Sequence, residues 1–141
     1  MLLPDDPPDG FELMTVRSDY PNFLGRFYLR GLGDKQIIAI RAQQHHCNSD
    51  GVVHGGFLLS LADFALSFRG PGDIPSRITL GLNAEFAGGA KCGDWLEAHV
   101  DVQKAGKSMV FANCFIQVGD NRIVRAGGVF KTWLPRPPAQ N

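Results

Sequence analysis

The sequence predicts an α+β fold in which a curved antiparallel sheet wraps around one long central helix. Three observations predict it. Two short strand-like runs precede one helical segment, and four longer strand-like runs follow it. The helical segment is apolar nearly all round, as a helix enclosed by a sheet must be. After Pro75 the apolar period changes from about 3.6 residues to 2. Antiparallel pairing accommodates that order with short connections.

The elements follow in order. Residues 1–10 are rich in Pro and acidic groups, so about the first 20 residues are expected to be loosely ordered. FELMTVRSDYPNFLG fits a short helix anchored by Phe11, Leu13, Met14 and Phe23, with Pro21 as its break. RFYLRG and QIIAIRA are short strands separated by a Gly-Asp-Lys turn. Phe57 to Phe68 contains neither Gly nor Pro and predicts the helix. In TLGLNAEF, Leu80, Leu82, Ala84 and Phe86 share one strand face, and Thr79, Gly81, Asn83 and Glu85 the other. In DWLEAHVDVQK, Leu96, Ala98, Val100 and Val102 alternate with Trp95, Glu97, His99 and Asp101. MVFANCFIQV places Val110, Ala112, Cys114, Ile116 and Val118 on one side. NRIVRAGGVFKTWL is the last strand, and its Gly127-Gly128 pair predicts a bulge or bend. KAGKS and VGDNR supply the hairpin turns, and the Pro-rich residues 135–141 a second loose end.

Composition bounds the function. A chain of 141 residues suits one domain spanning 1–141. Fourteen basic and fourteen acidic residues cancel, which points to neither a nucleic-acid footprint nor a membrane surface. No apolar run reaches the roughly 18 residues of a spanning helix. The first residues are acidic and Pro-rich where a signal peptide is basic and then apolar. Three cysteines without CxxC spacing suggest neither a disulfide framework nor a zinc ribbon, so a cytoplasmic location is expected.

One charge stands out. Asp63 lies inside the apolar helix, on a narrow polar stripe with Ser60 and Ser67. No basic residue stands three or four positions away, and a buried carboxylate without a partner costs several kcal/mol. Either Ser60, Ser67 or a distant donor satisfies it structurally, or it is kept at a wet cleft for base or nucleophile work. At the other end, Gly55-Gly56 after His54 opens the helix with bare amides suited to an anion or a polarised carbonyl oxygen. His54 and Asp63 are nine residues apart, about 13 Å of helical rise, and on opposite sides. Both ends can serve one site only if Asp63 comes from a second copy related by a two-fold axis.

Asn48-x-x-Gly51-x-x-His54-Gly55-Gly56 followed by Asp63, with Thr79 and Asn83 on the next strand, resembles the PaaI-type branch of the hotdog-fold acyl-CoA thioesterases. This is the superfamily that includes 4-hydroxybenzoyl-CoA thioesterase. The resemblance covers roughly residues 20–133. It implies a homodimer with sheets joined side by side, often paired into a tetramer. It implies that the Gly55 amide polarises the thioester carbonyl and that Asp63 of the opposite subunit is nucleophile or general base. Asn48 and His54 would position thioester or water, and Thr79 would assist the water. Gly56, Ser60, Asn83, Lys104 and Lys107 are the expected substrate and CoA contacts, with no cofactor beyond the CoA of the substrate. Where many relatives carry an aromatic-x-x-Pro-Ala segment, this chain reads Phe86-Ala87-Gly88-Gly89-Ala90, and the glycines are expected to loosen that loop.

Rival motifs fail on spacing. Of His45-His46-Cys47, at most His45 and Cys47 share a face, so no metal is expected. Gly106-Lys107-Ser108 lacks the P-loop's first glycine, since Asp101 stands there, and GLGDKQ ends on Gln36. No G-x-S-x-G elbow exists. Arg69, Arg77 and Lys91 are further candidates for CoA phosphates, and Trp95 and Trp133 are expected in packing. Two other functions suit the same fold: an acyl-thioester hydratase or dehydratase, which wants a His beside its carboxylate, and a non-catalytic module binding acyl-CoA or an aromatic metabolite.

Overall fold

The computed structural model describes residues 1–31, 35–68 and 77–132. Gly33 and Asp34 of the first turn, Arg69, Pro75, Trp133 and residues 135–141 lie outside them. Strands β1 (Glu12–Leu13), β2 (Tyr28–Arg30) and β3 (Ile37–Arg41) enclose a short helix, α1 (Asp19–Leu24), between the first two. A 3-10 turn (Gln44–His46) leads to the long helix α2 (Gly55–Ser67). Strands β4 (Arg77–Phe86), β5 (Trp95–Ala105), β6 (Met109–Val118) and β7 (Asn121–Thr132) complete the chain. They form one seven-stranded antiparallel sheet in the order β1-β2-β3-β5-β6-β7-β4. Among the described strands, only the two-residue β1 was absent from the sequence expectation.

Helix α2 packs on one face of this sheet. Leu58, Leu61, Ala62, Ala65 and Leu66 are buried against Ile38, Leu96, Ile116, Val124 and Phe130. This is the hotdog fold. The opposite stripe of α2, with Ser60, Asp63, Phe64 and Ser67, is only half-buried. The last carbonyls of α2, which no helical amide can reach, take side-chain donors instead. Gln36 Nε2 donates to Ala65 O at 3.2 Å and Phe68 O at 2.6 Å, and Arg77 Nη1 to Leu66 O at 3.0 Å. Gln36 is buried with its amide spent on this cap.

Two expectations change near the N-terminus. Residues 1–10 are exposed apart from Asp5, which is buried and paired and ties the N-terminal segment to the sheet. Tyr28 Oη donates to Asp5 Oδ2 at 2.6 Å, and Arg26 Nε lies 2.8 Å from the same oxygen. Arg41 donates to the backbone carbonyls of Asp5 and Asp6 at 2.9 and 3.0 Å. Phe11 closes a second small cluster against Trp95, their rings edge to face at 5.4 Å. In α1, Phe23 is 84% exposed and Pro21 is buried in its place. Pro21 sits in the first helical turn, where its missing N–H costs nothing, so it begins the helix rather than breaking it.

Candidate active site

Asp63 finds its partner on β4, and the register of that strand decides which residue it is. Paired strand residues share a sheet face, and Thr79 pairs with the buried Phe130, Leu82 with Gly128, and Ala84 with the buried Ala126. Thr79, Leu82, Ala84 and Phe86 therefore face the helix. Strict alternation, as the sequence suggested, would turn Thr79 outward and Leu80 inward. A β-bulge between Thr79 and Gly81 reverses the phase, with Leu80 as the extra residue. The Thr79 hydroxyl then donates to Asp63 Oδ1 at 2.6 Å. The distant donor is Thr79. Ser60 Oγ is hydrogen-bonded to Tyr20 Oη at 2.8 Å, and Ser67 Oγ donates to the Asp63 backbone carbonyl at 2.8 Å.

The N-terminal end of α2 is built by the loop before it. Asn48 Oδ1 accepts from the amides of Asp50 at 2.9 Å and Val52 at 3.0 Å. Gly51 makes the tight turn between them at φ +76°, a conformation that favours glycine. With Oδ1 engaged, Asn48 has its Nδ2 donor left for a ligand, and that nitrogen has no partner among the described residues. Val53 N donates to Ala90 O at 2.9 Å, which ties the loop to the segment after β4. His46 holds the other side. Its Nδ1 accepts from Gln43 N at 2.9 Å, its Nε2 meets Leu24 O at 2.6 Å, and its ring stacks on Phe57 at 3.8 Å. His46 O receives the His54 amide at 3.0 Å. Burial pushes the His46 imidazole below its ordinary range, so it is a neutral strut that sequence reasoning left without a role. His45 Nε2 meets the same Leu24 carbonyl at 3.0 Å.

His54 caps α2 without a side-chain hydrogen bond, and its ring is exposed. The amides of Phe57 and Leu58 both turn back to His54 O. Those of Gly55 and Gly56 have no acceptor among the described residues, and both residues are exposed. Neither glycine has a positive φ, and a Cβ on Gly56 would meet nothing within 4 Å. Backbone geometry does not require glycine there; open access to the amides would. At Gly55 a Cβ would touch the Phe86 ring at 3.5 Å, so Phe86, half exposed, walls this amide. The Gly88-Gly89 loop is firmer than expected, because Ala87 N and Gly88 N both donate to Ile123 O, at 2.8 and 3.2 Å.

One chain thus carries two groups of candidate residues at opposite ends of α2. Asn48, His54, Gly55, Gly56 and Phe86 stand at its start, and Asp63 and Thr79 two turns on. Eight residues of helix separate Gly55 from Asp63, about 12 Å of rise. Along β4, Phe86 and Thr79 are about 20 Å apart at strand spacing. Asn83 pairs with Gly127 on the outer sheet face, away from Asp63, where alternation with Leu82 and Ala84 puts it; the bulge turns only Thr79 to the other side. Lys104 is the last residue but one of β5, and Lys107 lies in the β5–β6 turn. Both are exposed, beside the β7 end that pairs with the start of β4. Lys91 is exposed on the loop after β4, and Trp95 packs between Phe11, Tyr28 and Arg41. Among the described residues no three His, Cys, Asp or Glu side chains gather as a metal site.

Comparison with known proteins follows the same outline. Residues 50–124 match the model of the thioesterase superfamily. A Pseudomonas aeruginosa protein named "Putative esterase PA0474" is 38% identical over 128 residues, covering 87% of this chain and 95% of that one. Among solved structures, the Streptococcus mutans protein smu.793, bound to acetyl CoA, superposes with a TM-score of 0.72 at 15% identity, covering 88% of this chain and 96% of that one. The PaaI protein of the Escherichia coli phenylacetic acid degradation operon superposes with a TM-score of 0.66 at 20% identity, covering 72% and 74%. At those identities the structural likeness concerns the fold.

Proposed function

The chain belongs to the thioesterase superfamily, and from that premise we propose that it hydrolyses an acyl-CoA thioester to the free acid and CoA, at a site shared by two copies. The observation that carries this reading is the Thr79–Asp63 pair on a helix whose other end offers two bare amides. Thioester hydrolysis needs an oxygen nucleophile and donors aimed at the developing oxyanion. Asp63 supplies the first function. As a general base it takes a proton from water while the water oxygen attacks the thioester carbon. As a nucleophile it forms the same C–O bond itself and leaves hydrolysis of an anhydride to a second step. The Thr79 hydroxyl fixes Oδ1 and leaves Oδ2 to act. The Gly55 amide of the other copy receives the oxyanion, and Asn48 Nδ2 steadies the carbonyl or the water from the same side. Collapse breaks the C–S bond and releases CoA as the thiolate, which takes up a proton. His54 borders the entry, with Lys104 and Lys107 as candidate partners for the CoA phosphates.

The acetyl CoA bound by smu.793 supports the choice of ligand class. The test is thiol release from short-chain, long-chain and aromatic acyl-CoAs, with Asp63→Ala as the control. Turnover on at least one class, falling by about two to four orders of magnitude in the variant, is the expected result. Absence of turnover on all classes would leave a binding module. Asp63-dependent hydration of an enoyl-CoA would move the chain to the hydratases.

A further inference from the structure

The bulge in β4 fits against a residue of another strand. Gly128, on the helix-facing side of β7, lies opposite Leu82. A Cβ there would sit 2.6 Å from the Gly81 carbonyl oxygen and 3.0 Å from the Phe130 ring. No real Cβ tolerates the first contact, and the atom in the way is backbone, which has no rotamer to escape into. The carbonyl of Gly81 belongs to the bulge itself, since the register shifts between Thr79 and Gly81. Glycine at 128 is thus the space into which the bulged carbonyl fits.

From this we infer that Gly128 and Leu80 are positioning residues for the proposed hydrolysis: the missing side chain at 128 admits the bulge at Leu80, and the bulge turns Thr79 onto Asp63. The inference rests on the thioesterase reading for its kinetic consequence but not for its geometry. Leu80 itself is 55% exposed and leaves the core without a contact to lose. With an alanine at 128 the relaxed alternative is a regular strand, in which Leu80 takes the inward position and Thr79 faces out. Asp63 then loses its donor while the helix and its Gly55 end stay in place.

Deleting Leu80 gives the complementary perturbation. Two residues on β4 already oppose one on β7, so removal of the extra residue leaves Thr79 opposite Phe130 and still inward. The Gly81 carbonyl no longer needs the space at 128, whereas the Phe130 contact is common to both backgrounds and cancels in a comparison.

The experiment measures kcat and KM for Gly128→Ala, Thr79→Val, their double variant, and Gly128→Ala with Leu80 deleted. Gly128→Ala should lower kcat by about tenfold to a hundredfold, as Thr79→Val does, with KM changed less than threefold. The double variant should be no slower than Thr79→Val alone, because one variant acts through the other. In the Leu80-deleted background, Gly128→Ala should cost at least tenfold less. Additive losses in the double variant, or an equal cost in both backgrounds, would overturn the inference. So would a kcat unchanged by Gly128→Ala. If Gly128→Ala does not fold, recovery of a folded chain on deleting Leu80 supports the inference, and failure to recover overturns it. Proton contacts between the Thr79 methyl and Asp63 Hβ, read by nuclear magnetic resonance, keep the geometry testable without turnover. They should vanish in Gly128→Ala and persist when Leu80 alone is deleted. Loss of turnover in the unaltered chain together with this pattern would refute the thioesterase reading and leave the bulge standing.

Discussion

Mixing two inactive variants tests the shared site directly. Asp63→Ala removes the carboxylate from one end of α2, and Asn48→Ala removes the donor beside the other. If both groups served one site within a chain, no mixture could recover activity. The structure argues against that arrangement. Reacting groups must approach to about 3–3.5 Å, whereas Gly55 and Asp63 are separated by about 12 Å of helix axis. A hybrid dimer holds one site with both defects and one with none. Random exchange of two homodimers makes half of all dimers hybrids, so the mixture should reach about a quarter of the unaltered rate per subunit. Hybrids purified through two different affinity tags should reach about half. Each parent alone should stay at least a hundredfold down. The assay is release of CoA thiol from the best acyl-CoA of the panel, with hybrid content verified by mass spectrometry. Verified hybrids no faster than the mean of their parents would refute the two-copy site.

Two further outcomes follow from buried groups outside the chemistry. Burial holds the His46 imidazole below its ordinary 6.5, so the unfolded chain takes up a proton that the folded chain resists. Its contribution to stability is therefore complete above about pH 6.5 and lost as pH falls from there toward the depressed folded value. The slope of melting temperature against pH below 6.5 should flatten in His46→Gln, and an unchanged slope would remove His46 as its source. Burial pushes the Cys114 thiol up to about 12, whereas Cys47 and Cys92 are half-exposed. Maleimide at neutral pH should label only the latter two until denaturant is added, as peptide mass spectrometry would show; native labelling of Cys114 would contradict its place in the core.

The fold was legible because α2 and the long strands carry unambiguous periods. Phe57–Phe68 is apolar on every face but one, β5 alternates from Trp95 to Val102, and β6 alternates throughout. On β4 the faces were legible from Gly81 to Phe86 but not at Thr79 and Leu80, where the bulge reverses them. TLGLNAEF alternates perfectly, and the residue that spoils the alternation stands in another strand at position 128. The Gly127-Gly128 pair suggested a bulge or bend in the last strand, but β7 keeps its register with β6 and β4 through both glycines, and the bulge lies in β4 instead. Thr79 and Leu80 consequently exchange the faces that their spacing suggested, whereas Asn83 keeps its own. The buried Asp5 escaped for a similar reason, since its partners Tyr28 and Arg26 become neighbours only when β2 is in place. Asp63 needed no structure to stand out. The roles of Asn48 and Thr79 came from the family resemblance, because nothing in their local pattern distinguishes them, whereas Gly55 already stood out with Gly56 as bare amides at the helix start.

The proposed two-copy site and the β4 edge of the described sheet suit the same partner. β4 is ten residues long and ends the sheet, with Ile78, Leu80 and Phe86 exposed at 47%, 55% and 51%. Edges of this kind are normally blunted by charges, proline or brevity, and β4 has little of any. A second copy lying antiparallel along it, about a two-fold axis near Leu82 and Asn83, would pair backbone that has no strand partner among the described residues and cover those side chains. In that register Thr79 of one copy lies opposite Phe86 of the other. Phe86 touches the Gly55 position and Thr79 touches Asp63, so the same operation would bring each carboxylate toward the other copy's bare amides. Edge protection and assembly of the site would then be one geometric event. Charge placed on the edge, as in Leu80→Lys, should accordingly abolish activity and self-association together. A monomer that keeps full activity would break the connection.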